Sequence, residues 1–249
     1  MTGSDAPPPF RLAYVPGVTP DKWVRIWRER FPDIPLTLTQ TAAAEAAGIV
    51  RDRGTDAVLL RLPIDETGLH AIPLYTEQTV IVVPKDHLLT AADEVSPTDV
   101  ADETLLCPGD DVLDWAQPPG RRAVQEPATT AAAVELVAAG VGLLVVPLSL
   151  ARLHHRRDLT YRPFLDAPES RVALSWLEDE TTDAIEQLIG IVRGRTPNSS
   201  RGRAPTQAVN KRIDAETRKS AERKPTNGSR RRTAGAPRSG RNGKPRRRS

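Results

Sequence analysis

Apolar and polar positions alternate from Phe10 to Val15, the period of two that a half-buried strand requires, and Pro16-Gly17 ends the run. Thr19-Pro20-Asp21 then carries a helix-start signal: a threonine suited to the N-cap, a proline suited to the first helical position and an acid for the first turn. The helix predicted after it gathers Trp23, Ile26, Trp27 and Phe31 on one face, and Pro32 stops it. Leu36–Gln40 alternates again as a second strand. Thr41 opens an Ala-rich helix to Val50, and Asp56–Leu60 is a buried third strand. Strand, helix, strand, helix, strand implies right-handed crossovers and a parallel sheet.

Leu69–Leu74 and Gln78–Val83 predict two more strands, the second closed by Pro84-Lys85. From about Asp86 the pattern changes to a loop, the turn Ser96–Val100, a strand at Thr104–Cys107 and a polar Gly/Asp/Pro stretch over Pro108–Gly120. Arg121–Gln125 reads as a short strand, and Thr129-Thr130 cap an apolar helix to Ala139. Gly140-Val141-Gly142 turns into Leu143–Val146, a continuous apolar run of the kind found in central parallel strands. A short helix from Pro147 to about Leu153, strands at Leu159–Phe164 and Arg171–Leu177, and a helix over Thr182–Arg193 with an Ile185, Leu188, Ile189, Val192 face complete the order.

Charge divides the chain. Residues 201–249 hold 17 Lys+Arg and 3 Asp+Glu, a net +14, while residues 1–200 hold 18 and 29, a net −11. The overall +3 therefore describes neither part. The basic segment has no aromatic residue, and Val209 and Ile213 are its only large aliphatics, so it reads as a disordered tail. A Pro-rich start without a cationic or long apolar stretch is no secretory signal, and no run suffices for a bilayer span, which together point to the cytoplasm and away from a membrane.

Leu74–Leu89 (LYTEQTVIVVPKDHLL) resembles the middle of the effector-binding, or substrate-binding, domain of LysR-type transcriptional regulators, and Val134–Pro147 (VELVAAGVGLLVVP) resembles the glycine turn of the same family. With the closing strands in matching order, the resemblance covers residues 10–194. It implies an α/β fold of two lobes of the periplasmic-binding-protein type 2 kind, lobe one about 10–85 plus 169–195 and lobe two about 86–168, between a flexible 1–9 and a disordered basic tail at 196–249. Family members carry an N-terminal winged helix-turn-helix and a dimerising linker helix. Nine residues precede Phe10 here, so the resemblance implies an effector domain without that DNA reader. The Pro108–Gly120 stretch also replaces a helix of the family.

In such folds the ligand lies between the lobes, at strand C-termini and helix N-termini. The expected small-molecule effector would meet hydroxyls at Thr19, Thr41, Thr129 and Thr130, with the Gly140 and Gly142 turn beside them. Each threonine reads first of all as a plain helix cap. Asp21 and the net −11 argue against a strongly anionic effector.

No other constellation supplies chemistry. His154-His155-Arg156-Arg157 lacks a third metal ligand and reads as a solvated basic patch. Cys107 with His87 has no orienting third group, so the cysteine reads as a buried strand-end residue, and the Gly140 turn enters a strand, unlike a dinucleotide fingerprint. The sequence thus points away from an enzyme and implies no cofactor and no metal.

For the tail, Arg230, Arg231, Arg232, Arg246, Arg247 and Arg248 would attract DNA or another polyanion by counterion release, without sequence reading because stacking residues are absent. The alternatives are a solubilising tail or one that folds back on the acidic domain. Two functions follow: a small-molecule-sensing transcriptional regulator or co-regulator, acting through the tail, as a homodimer or by pairing with another LysR-type regulator; or a cytoplasmic solute-binding protein of the same fold. Binding of the chain to random duplex DNA is expected to weaken steeply with salt and to vanish on truncation after Gly194. Salt-insensitive binding, or binding by the truncated chain, would sink the tail reading.

Overall fold

The computed structural model describes residues 8–195. Except for the exposed Pro8 and Pro9, the expected flexible start lies outside them, as do the basic tail and its six arginines.

The first sheet is built as the periodicity requires. β1 (Phe10–Tyr14) runs parallel to β2 (Leu36–Gln40) and β3 (Ala57–Leu62), with α1 (Asp21–Arg30) and α2 (Ala46–Arg51) in the crossovers. The chain then makes β4 (Leu69–Glu77), and β10 (Ser170–Leu177) inserts between β3 and β4, antiparallel to both, giving the order β2-β1-β3-β10-β4. β4 outlasts its predicted end at Leu74 and contains Pro73. As an edge strand it tolerates the missing donor, and the ladder with β10 slips at Val172/Ala173 beside it. α5 (Asp183–Val192), capped by the Thr182 hydroxyl accepting from the Ile185 amide, buries Ile185, Leu188 and Ile191. Ile191 joins them as the third fully buried residue, while the predicted Ile189 and Val192 pack half-buried against the same core.

β5 (Thr79–Pro84) lies in a second sheet, between β8 (Leu144–Pro147) and β9 (Leu159–Pro163), antiparallel to each. The expected boundary of lobe one at residue 85 is therefore corrected for this strand: its hydrogen bonds belong to the second sheet, and the chain changes sheets at Gln78. Helices α3 (Thr130–Ala138) and α4 (Leu148–Leu153) cover one face of this sheet. β5 and β8 send Val80, Val82, Leu144 and Val146 into that layer, and Ile81, Val83 and Val145, with Leu143 just before β8, into a second core with Val95, Val100 and Phe164. Burial on both faces explains the unbroken apolar run at 143–146. The parallel central strand expected there is corrected: β8 is antiparallel to β5 at the edge of its sheet, and Leu143, just before β8, meets Leu105 in a single parallel bridge. β6 (Thr104–Leu105) and β7 (Arg121–Arg122) are shorter than predicted, and the segment between them forms no helix.

Trp27 anchors α1. It is fully buried, stacks on Phe10 at 4.9 Å between ring centres, meets Phe31 at 5.2 Å and donates its indole N–H to the Ile34 carbonyl at 3.0 Å. Trp27→Ala is expected to cost about 3–5 kcal/mol in urea unfolding. A loss below about 1 kcal/mol would mean that α1 is held by other contacts.

Candidate functional site

Parallel strands in register end together, and here they end at a cleft. Tyr14 is the last residue of β1 and pairs with Gln40, the last of β2. Both line a cavity of about 1170 Å³ closed from the other side by Tyr75–Gln78 and by Leu148, Ser149, Arg152 and Leu153. A second cavity of about 730 Å³ adjoins it, sharing Gln40 and Leu153, and reaches Asp110, Thr129 and Thr130 at the start of α3. Residues of both sheets thus face one cleft, at the strand C-termini where α/β folds bind ligands.

Arg61 lies beneath it. Its side chain is 4% exposed and that of Glu77 9%. Nη1 donates to the Glu77 carboxylate, and to the Ser170 hydroxyl at 3.0 Å; Nη2 donates to the Pro16 carbonyl and the Ser149 hydroxyl, each at 3.1 Å. A buried charge requires such answering oxygens. The result is a polar tie joining a loop of the first sheet, both crossing strands and α4 of the second lobe. Burial, and then the neighbouring Glu77 carboxylate, raise the pKa of the Tyr75 phenol, which stays a neutral hydroxyl on the cleft wall.

The predicted threonines divide. Thr19 lines the cleft but caps nothing: α1 begins at Asp21 with Pro20 at its N-cap, and no side-chain capping bond forms. Thr41 is not a cap either. It is buried, its amide extends the β-ladder to the Tyr14 carbonyl at 3.0 Å, and Ala42 and Ala43 beyond it face the cleft instead. The single long helix expected from Thr41 to Val50 is instead a 3-10 turn, Ala43–Glu45, followed by α2. Thr129 is a true cap, its hydroxyl accepting from the Ala132 amide at 3.2 Å. Gly140 and Gly142 sit past the far end of α3, outside both cavities. Gly140 supplies a positive φ of 74°, and Gly142 packs where a Cβ would approach the Thr104 carbonyl to 2.7 Å. Their role is the turn into β8.

Thr130 is spoken for as well. Its amide and its hydroxyl both donate to Oδ1 of Asp110, at 2.6 and 2.8 Å. The chain's own carboxylate therefore occupies the N-terminus of α3, where backbone N–H groups and the helix dipole favour negative charge. Oδ2 of Asp110 has no partner among the described residues. At the other end of the cleft the Arg152 guanidinium also has no ion-pair partner among them.

Sequence reasoning missed Tyr14 and Gln40, although strand C-termini marked both. Arg61, Glu77, Ser149 and Asp110 carried no local signal. His87 is engaged elsewhere, Nδ1 accepting from the Leu89 amide at 3.3 Å and Nε2 lying 3.7 Å from Glu103. Cys107, half-buried just beyond β6, has its thiol pKa raised by burial.

Two α/β lobes with a cleft at their crossing define a ligand-binding domain. The model of the LysR substrate binding domain matches residues 9–197, and the chain belongs to that family. A probable hydrogen peroxide-inducible genes activator of Mycobacterium avium is 32% identical over 198 residues, 74% of this chain and 64% of that protein. The HTH-type transcriptional regulator AlsR of Bacillus subtilis is 27% identical over 149 residues, 56% and 49% of the two chains. The chain thus spans 64% and 49% of the lengths of these relatives, which are transcriptional regulators rather than enzymes. Among solved structures, the BenM effector binding domain with its effector benzoate superposes with a TM-score of 0.64 at 21% identity, over 75% of this chain and 90% of that one. The oxidized form of OxyR gives 0.64 at 21%, over 78% and 97%. At that identity these two establish the fold. No helix among the described residues is long and apolar enough to cross a membrane.

Arg61→Met leaves the Glu77 carboxylate buried without its cation and is expected to cost about 3–5 kcal/mol in urea unfolding. Arg61→Met with Glu77→Gln should recover at least half of that loss. A double variant no better than the single one would show that the pair's charge is not what the fold depends on.

Proposed function

We propose that this domain senses a small dipolar molecule for a transcriptional regulator, holding it in the cleft with a donor group toward Asp110 and an acceptor group toward Arg152. The observation that carries the reading is Asp110 at the start of α3. With Oδ1 already bonded twice to Thr130, that helix terminus offers a ligand a carboxylate oxygen beside the Ala131 N–H. Arg152 lines the same cleft as an uncommitted cation. A molecule with an ammonium, amide or hydroxyl donor at one end and a carboxylate or carbonyl at the other satisfies both. Thr19, Thr129, Gln40 and Tyr75 supply uncharged hydrogen bonds between them. A ligand touching both sheets favours the closed arrangement that Arg61 ties together, which is how binding would shift a conformational equilibrium.

BenM was solved with benzoate, a carboxylate without a donor group. Such a molecule at the α3 terminus here would have to displace Asp110. The peroxide response in the relatives' names is not carried over either: Cys107 is the single cysteine in 249 residues and cannot close a disulfide within the chain, and burial keeps its thiol protonated. That the curated relatives are regulators favours sensing over simple solute storage. Contact with DNA through the arginines at 230–232 and 246–248, and association with a second copy or another regulator of the family, belong to this proposal as the routes to transcription.

Thermal shift with sets of three compounds tests the polarity: an amino acid, its N-acetyl derivative and its amide. A cognate dipolar compound at a hundred times its Kd should stabilise the domain by about 2.7 kcal/mol. The N-acetyl form should lose most of that, and Asp110→Ala should erase the difference between the two. Equal stabilisation by carboxylates lacking any donor would overturn the assigned polarity, and a broad metabolite set that leaves the transition unmoved would overturn sensing itself.

A further inference from the structure

The second lobe carries another cavity, away from the crossing strands. It is an open cavity of about 510 Å³, the solvent at its mouth included. Its floor is core: Val82 of β5, Val134 of α3, Ala151 of α4 and Leu159 of β9 are all buried and belong to one apolar cluster. Aromatic and imidazole rings, Tyr161, His154 and His155, stand on its walls.

The charge of the lining is unlike that of the rest of the domain. Residues 1–200 carry a net −11, yet no carboxylate lines this cavity, while Lys85 and Arg156 do. The nearby acids are already taken. Asp158 receives Arg156 through two bonds, Nε at 3.0 Å and Nη2 at 2.9 Å, and Glu135 receives its Nη1. Neither the Lys85 ammonium nor the imidazoles of His154 and His155 have a side-chain hydrogen bond or ion pair among the described residues. An apolar floor with an uncommitted ammonium and two ring nitrogens at the mouth matches a flat apolar body ending in one negative charge. A bare phosphate would leave the floor uncovered, and a neutral aromatic would leave Lys85 only the longer-range attraction of Asp158.

We propose that this cavity is a second ligand site, for small aromatic carboxylates. Its chemistry is the opposite of that assigned to the cleft, where an unpaired carboxylate oxygen faces the ligand, and the inference stands whether or not the cleft takes a dipolar molecule. The two sites are neighbours. α3 and α4 border both, and His154 lines each of them.

The test is calorimetric titration of the whole chain, at physiological salt, with 2-naphthoate and with 2-naphthamide, which keeps the ring and removes the charge. Wild type should bind one naphthoate and bind the amide at least tenfold more weakly. Lys85→Gln should weaken naphthoate about three- to fivefold, as loss of one exposed charge pair does, and His155→Ala should weaken it in the same direction. Both variants should unfold at the wild-type temperature without ligand. Gln40→Ala, in the cleft, should bind naphthoate as wild type does. Equal affinity for the amide, binding indifferent to Lys85→Gln, binding lost in Gln40→Ala, or no binding at millimolar naphthoate would each overturn the proposal. Binding to cations elsewhere in the chain falls under the second of these outcomes.

Discussion

A guanidinium set in an apolar sheet has to be answered by oxygen, because an unpaired buried charge costs several kcal/mol. Arg61 makes that demand at one point on β3. The oxygens that meet it come from four other places: the loop after β1, the end of β4, the start of α4 and the start of β10. Two of these are the strands by which the chain passes between its sheets, and one belongs to the far lobe. The first-sheet loop and α4 are therefore placed with respect to each other by the coordination needs of one side chain. Two members of the tie, Glu77 and Ser149, also line the cleft at the ends of β1 and β2.

Net charge is a poor guide to what such a domain binds. The folded part is acidic as a whole, and screening over about 8–10 Å lets each cavity feel mainly its own lining. Asp110 puts a carboxylate at one end of the cleft, Arg152 a guanidinium at the other, and the side cavity of the second lobe has cations without a carboxylate in its lining. What separates these places is which acids are already engaged. Asp158 and Glu135 are bonded to Arg156, and Glu77 to Arg61, while Asp110 keeps one oxygen open. Local commitment, not the sum of charges, sets the polarity that a ligand meets.

The sequence was legible where the signal is local and periodic. β1, β2, α1 and α5 fall within a residue or so of their expected ends, since alternation, helical spacing and Pro32 act within a few residues of each other. Thr129 was legible as a cap, and Thr182 as a helix start, because a cap needs only its own helix. Thr41 was misread because a distant strand competes for it: the Tyr14 carbonyl holds its amide in the ladder and delays the helix. β5 was assigned to the wrong sheet for a similar reason, since its apolar pattern suits either and only β8 and β9 decide. Asp110 and Arg61 act across separations of 20 and 88 residues, to Thr130 and Ser149. No window of sequence contains such pairs.

Gly17 shows how a residue read as a simple strand breaker can have a second role. Its φ of +84° suits glycine, which accounts for the turn after Pro16. A Cβ there would also stand 2.6 Å from the Ser149 hydroxyl and 2.9 Å from Nη2 of Arg61, inside the tie itself. Backbone of the first lobe thus lies against α4 of the second at the one place where the buried guanidinium bridges them. Any side chain at position 17 would push between Arg61 and Ser149, so the contact between the lobes depends on an absent side chain as much as on a charged one. The conformational requirement of the turn and the steric requirement of the lobe contact select the same residue. That coincidence is why the turn could be read from sequence while the lobe contact behind it could not.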